Sequence, residues 1–115
     1  KIGSKQKNKK ILIIGLSYKK NIEDTRESAG VKFFTKLLDD KINVRFLDGL
    51  VKELKYKNIL HKSIDLNYKS FSKYGTIVIC SDHEFYNYSK ILSSSNLIID
   101  LRNRYKFRHE KIIRI

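Results

Sequence analysis

A chain of 115 residues, 41% of them hydrophobic, has room for one globular domain with its own core and is not a disordered tail. One cysteine leaves no intrachain disulfide and fits a reducing cytoplasm, and no apolar run approaches the roughly 18 residues of a membrane span. The net charge of +13 favours anionic partners, nucleic acid or nucleotides, yet also fits solvated lysines in a composition dominated by Lys, Ile and Asn.

Residues 1–10, rich in lysine, read as a basic arm or linker, and residues 11–115 as the domain. Ile11 to Gly15 is a continuous apolar run, as expected of a strand covered on both faces. Asp24 with Glu27 has capping-box spacing, which predicts a helix running from there through the stripe Ala29, Phe33, Phe34, Leu37 and Leu38. Asp39, Asp40 and Lys41 end that helix without a glycine. Val44 to Leu47 is a second strand, closed by Asp48-Gly49. Val51 to Tyr56 reads as a helical turn and Ile64 to Leu66 as a short strand.

Thr76 to Cys80 is another buried strand, followed by a helix through Phe85, Tyr88, Ile91 and Leu92. Leu97 to Ile99 is the next strand, and Ile112, Ile113 and Ile115 suit a last edge strand. Strands alternating with helices predict an α/β fold: a Rossmann-like three-layer sandwich with a mostly parallel sheet and right-handed crossovers.

In such a sheet the carboxyl ends of all strands share one edge, where ligands bind. Tyr18, Lys19 and Arg26 follow the first strand, Asp82 and His83 the 76–80 strand, Asp100 and Arg102 the 97–99 strand. Lys19, Arg26 and Arg102 near a helix amino end suit a diphosphate. Gly15 stands alone, with neither G-x-G-x-x-G nor a Walker loop, so side chains must hold the phosphates. Plainer readings stay open for each group. Arg26 can pair with Asp24 on the helix surface, Asp82 and His83 can cap the next helix, and Asp100 can pair with Arg102. Cys80, in the middle of an apolar strand, reads as an inert core residue, and His61 and His109 sit in unpatterned lysine-rich stretches.

Four ordered segments carry a resemblance. GLSYKKNIEDTRES (15–28), VRFLDGLV (44–51), TIVICSDHEFYNY (76–88) and LIIDLRN (97–103) resemble, in this order, the C-terminal UDP-binding domain of the UDP-glucose/GDP-mannose dehydrogenase family. The family's usual D-P is here Asp48-Gly49, its usual proline after R-E-S is Ala29, and residues 53–70 match nothing in it.

The resemblance implies that Tyr18 and Lys19 contact a UDP-sugar, with Lys19 near the diphosphate or sugar, and that Arg102 contacts the nucleotide-sugar. It implies that Arg26 reaches NAD across a domain cleft, and that Asp82 and His83 either shape the ligand site or cap the helix. Whole enzymes of this kind oxidise the sugar C6 alcohol to a carboxylate in two hydride transfers to NAD+, through a thiohemiacetal on a cysteine. That cysteine and the main NAD domain lie upstream in the family, and Cys80 does not match it. The implied molecule is therefore the UDP-sugar-binding part of a cytoplasmic homo-oligomeric dehydrogenase, partnered by the rest of its own chain and inactive alone, with no nucleic-acid or membrane partner and no metal. A basic α/β nucleic-acid-binding module is the rival reading, and a structural or oligomerisation domain a third.

Overall fold

A computed structural model of the chain describes residues 10–17 and 28–114. The rest of the basic arm, Tyr18, Lys19, Arg26 and the expected Asp24–Glu27 cap lie outside the described residues. Strands β1 (Ile11–Ile14), β2 (Val44–Leu47), β5 (Thr76–Ile79), β6 (Ile98–Asp100) and β7 (Ile112–Arg114) form one sheet in the order β2-β1-β5-β6-β7. Every neighbouring pair is parallel. The chain runs outward from β1 to β2, then returns to the other side of β1 to lay down β5. The switch point of the topology therefore lies between β1 and β5, where open α/β sheets form their crevice.

Alternation along β1 divides the core. Leu12 and Ile14 pack on one face with Phe71, Ile77, Ile79, Ile91 and Ile98, beneath helix α2 (Tyr88–Ser94) and the 3-10 turn Tyr68–Lys73. Ile13 points to the other face with Phe34, Leu37, Val44, Phe46 and Val78, beneath helix α1 (Ala29–Asp39). Burying each such side chain contributes about 1.5–3 kcal/mol. Both faces being covered explains why the strands read as unbroken apolar runs.

Helix α1 begins at Ala29, not near Asp24. Ser28 holds an extended backbone (φ −77, ψ 127) and its hydroxyl accepts the N–H of Val31, so the helix starts after it. The stripe faces the sheet through Gly30, Phe34 and Leu37, while Ala29 is exposed. At its end Lys41 takes φ +61, its N–H bonding Leu38 O at 3.0 Å while Ile42 N–H bonds Leu37 O at 3.0 Å. This is a Schellman closure made without glycine.

Two expectations between 51 and 66 are corrected. Strand β3 (Glu53–Tyr56) pairs antiparallel with β4 (Ile59–Lys62) instead of forming a helical turn. Glu53 and Lys55 are exposed while Leu54 and Tyr56 are half-buried, a period of two, and Lys57 (φ 50) with Asn58 (φ 68) closes the hairpin. Ile64 donates one backbone bond to Phe46 O at 2.9 Å, but Ile64 to Leu66 forms no strand. Asn87 caps α2 by accepting Lys90 N–H at 3.0 Å, so the helix starts at Tyr88 and leaves Phe85 and the Asp82-His83 pair ahead of it.

Candidate functional site at the carboxyl edge of the sheet

Asp48, the residue that follows β2, organises the crevice. One carboxylate oxygen accepts the N–H groups of Leu16 (2.7 Å) and Ser17 (3.2 Å); the other accepts those of Leu50 (2.8 Å) and Val51 (3.0 Å). Burial pushes the carboxyl up, but the bonds from His83 and from the Val51, Leu16 and Leu50 amides outweigh it and hold the group down at about 2.

Ser17 Oγ lies 3.5 Å from Asp48 Oδ2 and 2.9 Å from His83 Nε2. A carboxylate only accepts, whereas the role of the imidazole nitrogen follows its tautomer, so the serine hydroxyl bridges the two groups. Both partners approach the same imidazole nitrogen, His83 Nε2 lying 3.6 Å from Asp48 Oδ2. A serine nucleophile needs its acid partner on the opposite nitrogen. Ser17 is also buried, as are Asp48 and His83. The cluster is therefore a frame, not a hydrolytic triad.

The same frame pins the backbone around the switch point. Ser81 Oγ donates to Ser17 O at 2.6 Å, and Ser28 Oγ donates to Leu16 O. Gly15 has φ +94, and a side chain there would collide with Ser81; a Cβ on Gly30 would strike Gly15 O. In a dinucleotide-binding turn the amides after the first strand face a pyrophosphate. Here those of Leu16 and Ser17 are occupied by Asp48, so the described residues make no NAD cradle of that kind.

Cations gather on the β6 side. Asp100 Oδ1 accepts the N–H groups of Arg102 (3.1 Å) and Arg104 (3.0 Å), and Oδ2 that of Tyr105 (2.9 Å), so Asp100 shapes the turn rather than forming an ion pair with the Arg102 guanidinium. The ion pairs go to Asp82 instead: Arg102 Nε at 3.6 Å from Oδ1 and Arg104 Nη1 at 3.6 Å from Oδ2. Arg104 Nη1 also reaches Glu84 at 3.4 Å, and its guanidinium lies 4.3 Å from the Tyr88 ring centroid. Asp82, Arg102, Asn103, Arg104 and Lys106 line an open cleft of about 500 Å³.

Of the residues singled out in the sequence, Asp82 and Arg102 meet in this cleft. His83 is fully buried, with Phe85 stacked over it at 5.2 Å. Tyr18, Lys19 and Arg26 fall outside the described residues. Cys80 is buried, and burial pushes its thiol up to about 12 despite the nearby Arg102. Sequence reasoning passed over Asp48 as a turn residue, and Ser17, Ser28 and Arg104 altogether. Asp48 had a usable signal: a carboxylate directly after a both-faces-buried strand must find donors on the neighbouring strand end.

Comparison with known proteins gives these features a context. The model of the "UDP-glucose/GDP-mannose dehydrogenase family, UDP binding domain" matches residues 12–107. A UDP-glucose 6-dehydrogenase of Rickettsia prowazekii is 34% identical over 106 residues, covering 84% of this chain and 24% of that protein. A UDP-N-acetyl-D-mannosamine dehydrogenase of Methanocaldococcus jannaschii is 32% identical over 83 residues, covering 70% of this chain and 18% of that one. The solved UDP-D-ManNAc dehydrogenase of Pyrococcus horikoshii superposes with a TM-score of 0.67 at 27% identity, covering 98% of this chain and 27% of its own. The chain thus spans about a quarter or less of the length of these curated relatives.

Proposed function

The chain belongs to the UDP-glucose/GDP-mannose dehydrogenase family, whose UDP-binding domain it carries, and we propose that it holds the UDP part of a UDP-sugar for NAD-dependent oxidation at the sugar C6 by a longer dehydrogenase. The observation that carries this reading is Arg102. It projects from the turn after β6 with a part-exposed guanidinium, into a cleft it shares with Arg104 and Lys106. Arginine's planar fork suits two oxygens of a diphosphate. Lys19 supplies a second cation from the start of the 18–27 segment and Tyr18 a contact to the nucleotide-sugar. Both neighbours of that segment, Ser17 and Ser28, are tied down by the Asp48 frame and by Leu16 O.

The chemistry of the bound sugar is left to other parts of the parent. Cys80 has neither the exposure nor the acidity of a nucleophile. NAD would supply the hydride acceptor when bound. With the Leu16 and Ser17 amides taken by Asp48, this domain would touch it through the side chain of Arg26. What the domain does is bind and orient.

Calorimetric titration of this chain with UDP, UDP-glucose, UDP-N-acetylmannosamine and GDP at about 150 mM salt tests the reading. Binding selective for UDP and weakened about tenfold or more by Arg102→Ala is expected, since a charge-assisted bond contributes roughly 1.5–3 kcal/mol. Binding that ignores the base and collapses with salt would instead favour the polyanion reading raised by the +13 charge.

A further inference from the structure

We infer that Asp82 is a positioning residue for the nucleotide site: it holds the Arg102 guanidinium by its Nε side so that the terminal fork is presented to the diphosphate. The inference rests on the reading of Arg102 as the phosphate-binding arginine.

Arg102 is held at both ends. Its backbone N–H is fixed to Asp100 at 3.1 Å, and its Nε lies 3.6 Å from Asp82 Oδ1. Contact through Nε engages the stem side of the guanidinium. The opposite edge, carrying both terminal nitrogens, is the one that makes two parallel bonds to a phosphate. Asp82 is in turn too constrained to follow Arg102 about. It is 8% exposed, and its second oxygen faces Arg104. Arg104 is braced by Glu84 and by the face of Tyr88, whose hydroxyl donates to His83 O at 2.6 Å. A chain of contacts therefore runs from the buried frame through Tyr88, Arg104 and Asp82 to Arg102, whose side chain is 42% exposed. Arg104 is spent in this bracing, whereas Arg102 meets its carboxylate on one side only among the described residues.

Positioning and bulk electrostatics predict opposite signs when the charge of Asp82 is removed. Asp82→Asn makes the cleft more positive, so an anion held by field alone binds tighter. If Asp82 orients Arg102, the same substitution releases the guanidinium, and UDP binds about three- to tenfold more weakly.

The test uses the chain as it stands, in two measurements. In nitrogen-15 NMR the Arg102 Nε–H signal should report a restrained side chain in the unsubstituted protein and a mobile one in Asp82→Asn, without ligand. In UDP titrations Asp82→Asn should weaken binding, and should cost nothing further on the Arg102→Lys background, because lysine has no Nε for Asp82 to hold. An Arg102 signal equally mobile with and without Asp82 overturns the inference, as does tighter UDP binding by Asp82→Asn. Absence of UDP binding, or no effect of Arg102→Ala, defeats the functional reading instead, and the NMR comparison still decides what Asp82 does. If Asp82→Asn does not fold, Arg104→Lys serves in its place: it removes the brace, keeps the charge, and should loosen the Arg102 signal in the same sense.

Discussion

Asp48 and Ser17 meet across the β2–β1 gap, the carboxylate of one accepting the backbone N–H of the other at 3.2 Å while also holding the Leu16 N–H at 2.7 Å. A protein group thereby occupies the place where nucleotide folds of this topology commonly leave amides free. The Leu16 and Ser17 amides are therefore not free for an anionic ligand.

Asp48→Ala strips the acceptor from the amides of Leu16, Ser17, Leu50 and Val51. A loss of about 3 kcal/mol or more is expected, since each buried unsatisfied donor costs about 1–3 kcal/mol. The pH dependence has a definite sign. The folded carboxyl titrates near 2 against an ordinary value of 3.8, so its contribution is complete above about pH 4 and lost as the pH falls toward 2. The shift corresponds to about 2 kcal/mol. Urea unfolding at pH 6, 4 and 2.5 should show the advantage over Asp48→Asn shrinking across that window; a constant gap would contradict the assignment.

Gly30 and Gly15 are a matched pair. A Cβ on Gly30 would run into the backbone oxygen of Gly15, and one on Gly15 into Ser81 on the neighbouring strand end. Backbone cannot swing aside as a flexible side-chain tip can, so Gly30→Ala should cost about 2–4 kcal/mol. Thermal unfolding reads this directly. A change under 0.5 kcal/mol would mean α1 sits farther from β1 than described.

The sheet was legible because both of its faces are buried: Ile11–Ile14, Val44–Leu47 and Thr76–Ile79 announce themselves as apolar runs between polar ends. The β3–β4 hairpin was not. Its alternation spans only the four residues of β3 and fails in β4, where the apolar Ile59 and Leu60 are both exposed, and Lys57-Asn58 lacks the glycine that usually marks a two-residue turn. The converging edge could be inferred from parallel order alone, which brought Asp82 and Arg102 together correctly. Which partner each charge takes was beyond that logic. Asp100 looked like the mate of Arg102 because it is two residues away, yet its oxygens are consumed by the Arg102, Arg104 and Tyr105 amides. The carboxylate that faces the guanidinium comes from another strand end.

Lys41 ends α1 in the left-handed region at φ +61, a conformation that costs a side chain roughly 1 kcal/mol and costs glycine little. Its backbone bonds to Leu38 would survive the change, so Lys41→Gly should stabilise the chain by about 0.5–1 kcal/mol. The equivalent substitution at exposed Lys36, inside the helix, should destabilise by a similar amount. Equal effects at the two positions would show that the Schellman closure does not form in solution.

Cys80 is a buried thiol directly after β5. Its thiol is pushed from 9.0 up to about 12 by burial, so at pH 8 the folded protein presents about a thousandfold less thiolate than the unfolded chain. A thiol reagent should therefore label the denatured protein in seconds and the native one only through global unfolding, at a rate that falls with added stabiliser. Cys80→Ala should leave UDP affinity unchanged while lowering stability by about 1 kcal/mol. Rapid native labelling, or lost UDP binding in Cys80→Ala, would place the sulfur at the ligand surface.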